Sequence, residues 1–233
     1  MEEAPSDATG SDVSELRLRW HVFRCRRKSD TKTRFLRELA RVVARAPRPT
    51  QGKTAPPLLE IGTSAGGSAL LMLRVLDDVY RGGRPPFVLT VDPYGARPYE
   101  GAPFVYDARQ YRAMKRALAR YANHVHYMMD SGLFLQELEH LYLWADGARQ
   151  PLDKFTLVYL DGSHDPDTVW REIETLLPRL VPGGTMVVDD TDWFEGAVRR
   201  RLDAAAPGLG VQVRHNGKQS LIAKSQIGLD SVA

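Results

Sequence analysis

Five short apolar runs, each closing on or beside a carboxylate, set narrow limits on how this chain folds. They are 58–61 with Glu60 inside it, 87–91 before Asp92, 124–129 before Asp130, 155–160 before Asp161, and 185–188 before Asp189 and Asp190. Between them lie stretches with helical spacing. Leu70, Leu71, Leu73, Leu76, Val79 and Tyr80 form one stripe, and Tyr111, Met114, Leu118 and Tyr121 a second. Phe134, Leu138 and Leu141 give a third, and Val169, Ile173, Leu176, Leu177 and Leu180 a fourth. Pro182-Gly183-Gly184 reads as a tight turn, and a further helix spans about 193–206. The segments 211–214 and 220–223 flank Asn216-Gly217, a hairpin signal. Strands alternating with helices and closing on a hairpin predict an α/β fold. Its sheet is mostly parallel and seven-stranded, covered by helices on both faces, with an antiparallel edge. Ligands on such sheets bind outside the carboxyl ends of the strands. Glu60, Asp92, Asp130, Asp161, Asp189 and Asp190 gather along that edge, where burial alone selects apolar residues.

The first run feeds a glycine-bearing loop, Gly62-Thr63-Ser64-Ala65-Gly66-Gly67, and a helix opening at Ser68. Glycines allow a tight turn and close backbone approach, and a helix start offers unpaired N–H groups to an anion. Strand, glycine turn and helix therefore suit a nucleotide-type ligand or, more plainly, a turn between two elements. The dinucleotide spacing Gly-x-Gly-x-x-Gly is not met, because Ser64 stands at its second glycine.

Of the 233 residues, 43% are apolar, enough for a substantial core. Residues 1–12 are small, polar and acidic and read as a disordered tail. Residues 13–50 form a helical segment, a lid or oligomer contact, in which Phe35, Leu36, Leu39, Val42, Val43 and Ala46 share a face. Ser29 or Asp30 suits its cap, and prolines 47, 49, 56 and 57 mark a linker into the main domain at 51–233. The net charge of +3 is modest, and the arginines between Arg17 and Arg48 read as a solvated helix face rather than a nucleic-acid surface. Cys25 is the only cysteine, which excludes a disulfide framework and a thiolate metal site. With no apolar stretch of membrane-spanning length and no signal-peptide pattern, the expectation is a soluble cytoplasmic protein, with no membrane partner and a tendency to homo-oligomerise. The 94–106 loop is long enough to be functional. Its Tyr94, Tyr99, Phe104 and Tyr106 form either an apolar wall for a ligand or ordinary packing.

The segments 60–68, 90–95, 159–164 and 181–193 together resemble the class I S-adenosylmethionine-dependent methyltransferases, over about residues 55–224. Within that class the chain is similar to the metal-dependent O-methyltransferases of antibiotic sugars and to the cephalosporin-modifying methyltransferase-like enzymes. The resemblance implies a Rossmann-like fold and S-adenosylmethionine as cofactor. It places Gly62, Thr63, Ser64, Gly66 and Ser68 around the methionine part, Asp92 on the ribose hydroxyls, and Asp130 and Ser131 at adenine, with Glu60 and Asp161 also bordering the cofactor. It makes Asp161, Asp189 and Asp190 the ligands of Mg²⁺ or a similar ion, consistent with the need of crowded carboxylates for a compensating charge. It makes His164, with Asp161, the catalytic pair, His164 taking the hydroxyl proton of a small hydroxylated acceptor, a sugar or glycosylated natural product. Other roles stay open for these residues: Asp92 and Asp130 as turn or capping acids, Asp190 as a cap, His164 as a residue ordering its loop. Asp192 reads as the cap of the helix after it. A catechol-type acceptor, a non-catalytic S-adenosylmethionine-binding module and a nicotinamide-dependent oxidoreductase are the competing functions.

Overall fold

The structure is a computed structural model that describes residues 13–26, 33–48, 55–95, 108–145 and 147–225. The tail at 1–12, the cap at Ser29 or Asp30, and Tyr99, Phe104 and Tyr106 lie outside the described residues. In chain order the first elements are α1 (Glu15–Cys25), α2 (Thr33–Arg45), β1 (Leu58–Ile61), α3 (Gly67–Val79), β2 (Val88–Val91), α4 (Ala108–Leu118), β3 (His124–Tyr127) and α5 (Ser131–Glu137). There follow β4 (Tyr142–Ala145), β5 (Ala148–Pro151), β6 (Phe155–Leu160), α6 (Pro166–Leu176), β7 (Leu180–Val188), α7 (Trp193–Leu209), β8 (Val211–Asn216) and β9 (Gln219–Lys224).

The main sheet has the seven strands that the sequence leads one to expect, and their order is β3-β2-β1-β6-β7-β9-β8. The first five of these are parallel, and β9 and β8 run antiparallel at one edge. The apolar runs are continuous because both faces of the sheet are buried. Leu58, Val88, Leu157, Tyr159 and Val187 face one apolar layer, and Leu59, Leu89, Val158, Leu160 and Val188 the other. The two-residue period of a strand distributes them. The first layer holds α1 to α4, the second α5 to α7.

Leu18, Val22 and Cys25 of α1 and Leu36, Leu39 and Val43 of α2 sit in the same cluster as Leu71, Met72 and Val75 of α3. His21 Nε2 lies 2.7 Å from Asp78 Oδ2, and Arg41 pairs with Glu15 at 2.7 Å, tying α1 to its neighbours. The N-terminal helices are thus a wall of the core. No helix among the described residues is long and apolar enough to cross a membrane.

Three local readings differ from the structure. The third helical stripe stops early: α5 ends at Glu137, and Leu141 leads instead into the small β4–β5 hairpin, in which alternate residues of β4 are exposed and β5 has none buried. Leu180 and the Pro182-Gly183-Gly184 turn lie within β7, which pairs with β6 across a register shift between Phe155 and Leu157. That irregularity passes a turn-like sequence through a strand. Asp192 stands before α7, but its side chain makes no capping bond. Phe194, Glu195 and Gly196 are left-handed, so regular helix begins only after them.

Candidate active site

The strand order reverses between β1 and β6, opening a crevice at their carboxyl ends. Gly62 (φ +88°) turns the chain there. It has no room for a side chain, since a Cβ would fall 2.1 Å from the carbonyl oxygen of Asp161. Asp92, at the end of β2, is buried and accepts from the backbone N–H groups of Thr63 (3.0 Å), Ser64 (2.9 Å) and Tyr94 (3.1 Å). Ser64 is held at φ +46°, a region that disfavours side chains, while the Tyr94 hydroxyl donates to its carbonyl. The Tyr94 ring packs on Tyr111 and His126, at 5.2 and 5.4 Å between centroids. Tyr94 is therefore a brace of the glycine loop. Glu60 is fully buried beneath the loop and accepts from the Ser68 hydroxyl. Burial pushes its carboxyl up to about 8, so it is neutral at pH 7.

The acidic cluster sits across the seam. The Tyr159 hydroxyl lies 3.0 Å from Asp161 Oδ2 and 3.0 Å from Asp189 Oδ2. A phenol has one proton to donate, so one of these two contacts needs a carboxyl proton. Burial and the neighbouring Asp189 raise Asp161 well above the usual carboxylate range, which makes it the proton's holder. Lys218, from the β8–β9 turn, places Nζ 2.7 Å from Asp190 Oδ1 and 3.2 Å from Asp189 Oδ1. His164 Nε2 is 3.6 Å from Asp190 Oδ2, and its ring lies 4.2 Å from that of Trp193. Burial lowers the His164 pKa, with Asp190 opposing the shift, so the imidazole is neutral and able to take a proton. Asp190 itself is left-handed at φ +50°.

The fold thus brings Glu60, Gly62, Thr63, Ser64, Gly66, Ser68 and Asp92 to one side of the crevice and Asp161, His164, Asp189 and Asp190 to the other. Asp130 and Ser131 lie farther along the sheet edge, beyond β3. Asp130 Oδ1 accepts from Leu133 N at 2.9 Å and so caps α5. Sequence reasoning missed Tyr159, Tyr94 as a brace, and Lys218.

The Mg²⁺ expected from the resemblance has its hard oxygens here, but the arrangement does not fit it. Among the described residues no three His, Cys, Asp or Glu side chains converge as a metal-holding group. Asp189 and Asp190 turn oxygens to the Lys218 ammonium, and Asp161 and Asp189 turn oxygens to a phenol. Their 2.7–3.2 Å contacts are those of N–H···O and O–H···O bonds.

Residues 59–191 match a family model described as a methyltransferase domain. The structure is similar to that of an O-methyltransferase from Bacillus cereus solved with S-adenosylhomocysteine (TM-score 0.56, 16% identity, 93% of this chain and 94% of that one). It is similar to TomG from Streptomyces achromogenes, an O-methyltransferase involved in tomaymycin synthesis solved with S-adenosylmethionine (0.55, 18%, 94% and 92%). It is also similar to the O-methyltransferase NovP (0.58, 14%, 85% and 82%). No curated protein sequence matches the chain. At these identities the likeness is one of fold, the Rossmann-like architecture with its closing antiparallel hairpin.

Proposed function

We propose, from the premise that this chain belongs to the methyltransferase-domain family, that it transfers a methyl group from S-adenosylmethionine to a hydroxyl of a small molecule. The observation that carries this reading is the seam at Gly62, where the glycine loop abuts the backbone of Asp161. A ligand cradled by the loop therefore has its reactive end beside His164 and the acidic cluster.

In this reading the cofactor's part is to supply an activated methyl group. The loop from Gly62 to Ser68 holds the methionine portion, and the start of α3 offers N–H groups to its carboxylate. Asp130 and Ser131 border the adenine and Asp92 the ribose. Bound S-adenosylmethionine would give up its methyl group from sulfur to the acceptor oxygen, and neutral His164 would take the hydroxyl proton. Most of the rate gain comes from aligning the two reactants and stabilising the oxygen as its proton leaves. A sugar or glycosylated natural product suits the exposed Trp193, whose ring lies beside His164; TomG is involved in tomaymycin synthesis. The divalent ion of the resemblance joins this reading only if it displaces Lys218 from Asp189 and Asp190, and no step here runs through it.

Thermal midpoints measured with S-adenosylmethionine, S-adenosylhomocysteine and NAD test the cofactor. A ligand at a hundredfold excess over its Kd adds about 2.7 kcal/mol to stability. A shift with either S-adenosyl compound and none with NAD is the expected result, followed by methyl transfer to polyhydroxylated acceptors. A shift with NAD alone would replace the methyltransferase by an oxidoreductase.

A further inference from the structure

Crowded carboxylates such as Asp189 and Asp190 need a compensating positive charge, and this chain brings one of its own. We propose that Lys218 is the resident cation of the Asp161–Asp189–Asp190 cluster, standing in the role that the resemblance gives to a divalent ion, so that the site works without an exchangeable metal. The inference rests on the methyl-transfer reading of the same site.

The first ground is contact. One ammonium bridges two carboxylates, at 2.7 Å to Asp190 and 3.2 Å to Asp189. An ammonium has three donors and suits that bridge, whereas Mg²⁺ demands near-octahedral oxygens at about 2.0–2.1 Å. The other oxygen of Asp189 faces the Tyr159 hydroxyl, and its Oδ1 also accepts from Asp190 N at 2.9 Å.

The second ground is construction. Lys218 does not reach in from a loose loop. Its carbonyl accepts from Thr191 N at 2.8 Å and from Thr191 Oγ1 at 3.1 Å, in the segment that follows the two aspartates. The carbonyl of Gly217 accepts from Arg199 of α7. On its far side Gly217 is pressed on α2, where a Cβ would fall 2.9 Å from the Phe35 ring. Phe35 is fully buried, and Lys218 Nζ stands 5.6 Å over that ring. The backbone N–H and hydroxyl of Thr191, a guanidinium from α7 and an aromatic floor from α2 thus fix where the ammonium enters.

The chemistry follows. His164 would take the proton of the acceptor hydroxyl while S-adenosylmethionine, if bound, would supply the methyl group to that oxygen, its S–CH₃ bond breaking to leave a neutral thioether. A fixed ammonium offsets the charge of Asp189 and Asp190, so the oxygen's transient negative charge meets less repulsion than it would beside bare carboxylates. Lys218 also keeps Asp189 and Asp190 together, which makes it a positioning residue for the edge on which His164 rests.

Magnesium titration of the full chain tests this, followed by calorimetry and by thermal midpoint, each with saturating S-adenosylhomocysteine. The wild-type protein should show no Mg²⁺ binding and no Mg²⁺-dependent midpoint. Lys218→Met, which keeps the stem and removes the charge, should gain one Mg²⁺ site at least about tenfold tighter than any in wild type. Lys218→Arg should stay insensitive to Mg²⁺. One-to-one Mg²⁺ binding to the wild-type chain, or to Lys218→Arg, overturns the proposal, as does a folded Lys218→Met that binds none. Should Lys218→Met fail to fold, the wild-type and Lys218→Arg titrations decide alone. Absence of an S-adenosylhomocysteine shift in wild type counts against the cofactor reading and leaves the Mg²⁺ comparison standing.

Discussion

The α-carbon of Gly62 faces the carbonyl of Asp161 so closely that a single added methyl would overlap it. Asp161 N in turn donates to Ile61 O at 2.8 Å, continuing the β1–β6 ladder to the edge of the crevice. The glycine is required by the neighbouring strand as well as by any ligand. Gly62→Ala combines a side chain at φ +88° with a backbone clash. It should destabilise the fold by about 2–4 kcal/mol in denaturant titration. A cost under about 1 kcal/mol would mean that the two strand ends slide apart freely.

Tyr94→Phe removes the hydroxyl that holds the Ser64 carbonyl but keeps the ring against Tyr111 and His126. The expected result is a roughly tenfold weaker Kd for S-adenosylhomocysteine, about 1.4 kcal/mol, with the unfolding midpoint little changed. An unaltered Kd would relieve Tyr94 of its bracing role.

Stability should fall as pH rises from about 6.5 to 8. The Glu60 carboxyl is raised by burial from 4.5 to about 8, so across that window the folded state keeps a proton that the unfolded state has released. This group's stabilising effect is whole below its unfolded pKa and is lost as pH climbs to its folded one. The slope from Glu60 alone is at most about 1.4 kcal/mol per pH unit. Buried Glu172, raised to about 7, and the raised Asp161 and Asp189 add in the same direction. The half-buried histidines act oppositely but at lower pH, since His124 is lowered from 6.5 to about 4 and His126 and His164 are lowered too. Glu60→Gln should flatten the fall measured by denaturant midpoint between pH 6.5 and 8. An equally steep variant would show that Glu60 is already ionised in the fold.

Much of this was legible in the chain because burial on both faces leaves a continuous apolar signature, as at Phe155–Leu160, and because the carboxylates close those runs. The positions of Glu60, Asp92, Asp161 and Asp189 needed only strand ends. What escaped notice had no period to betray it. The β4–β5 hairpin is short and half exposed. The left-handed turn at Phe194, Glu195 and Gly196 looks helical in composition, and Tyr159 looks like any core residue. Lys218 is 28 residues from Asp190, and a lysine in a turn ordinarily points to water. One signal did exist: a last strand antiparallel to β7 must begin where β7 ends, which delivers the Asn216-Gly217-Lys218 turn to Asp189 and Asp190.

Asp189→Asn keeps the shape of the edge while removing the charge that Lys218 meets at 3.2 Å. Turnover should drop at least about a hundredfold, with the S-adenosylhomocysteine shift retained, because the glycine loop makes none of its backbone bonds to Asp189. Loss of that shift in a folded Asp189→Asn protein would move Asp189 into the cofactor pocket.

The clamped turn between β8 and β9 also sets an order of assembly. A ribosome finishes the strands that carry Asp161, Asp189 and Asp190 before Lys218 has been synthesised, and Phe35, on which the turn rests, is made long before either. Whenever that turn is undocked, the acidic edge lacks its ammonium. The β8–β9 hairpin is thus the piece that both meets the charge of the centre and rests on α2 at Phe35.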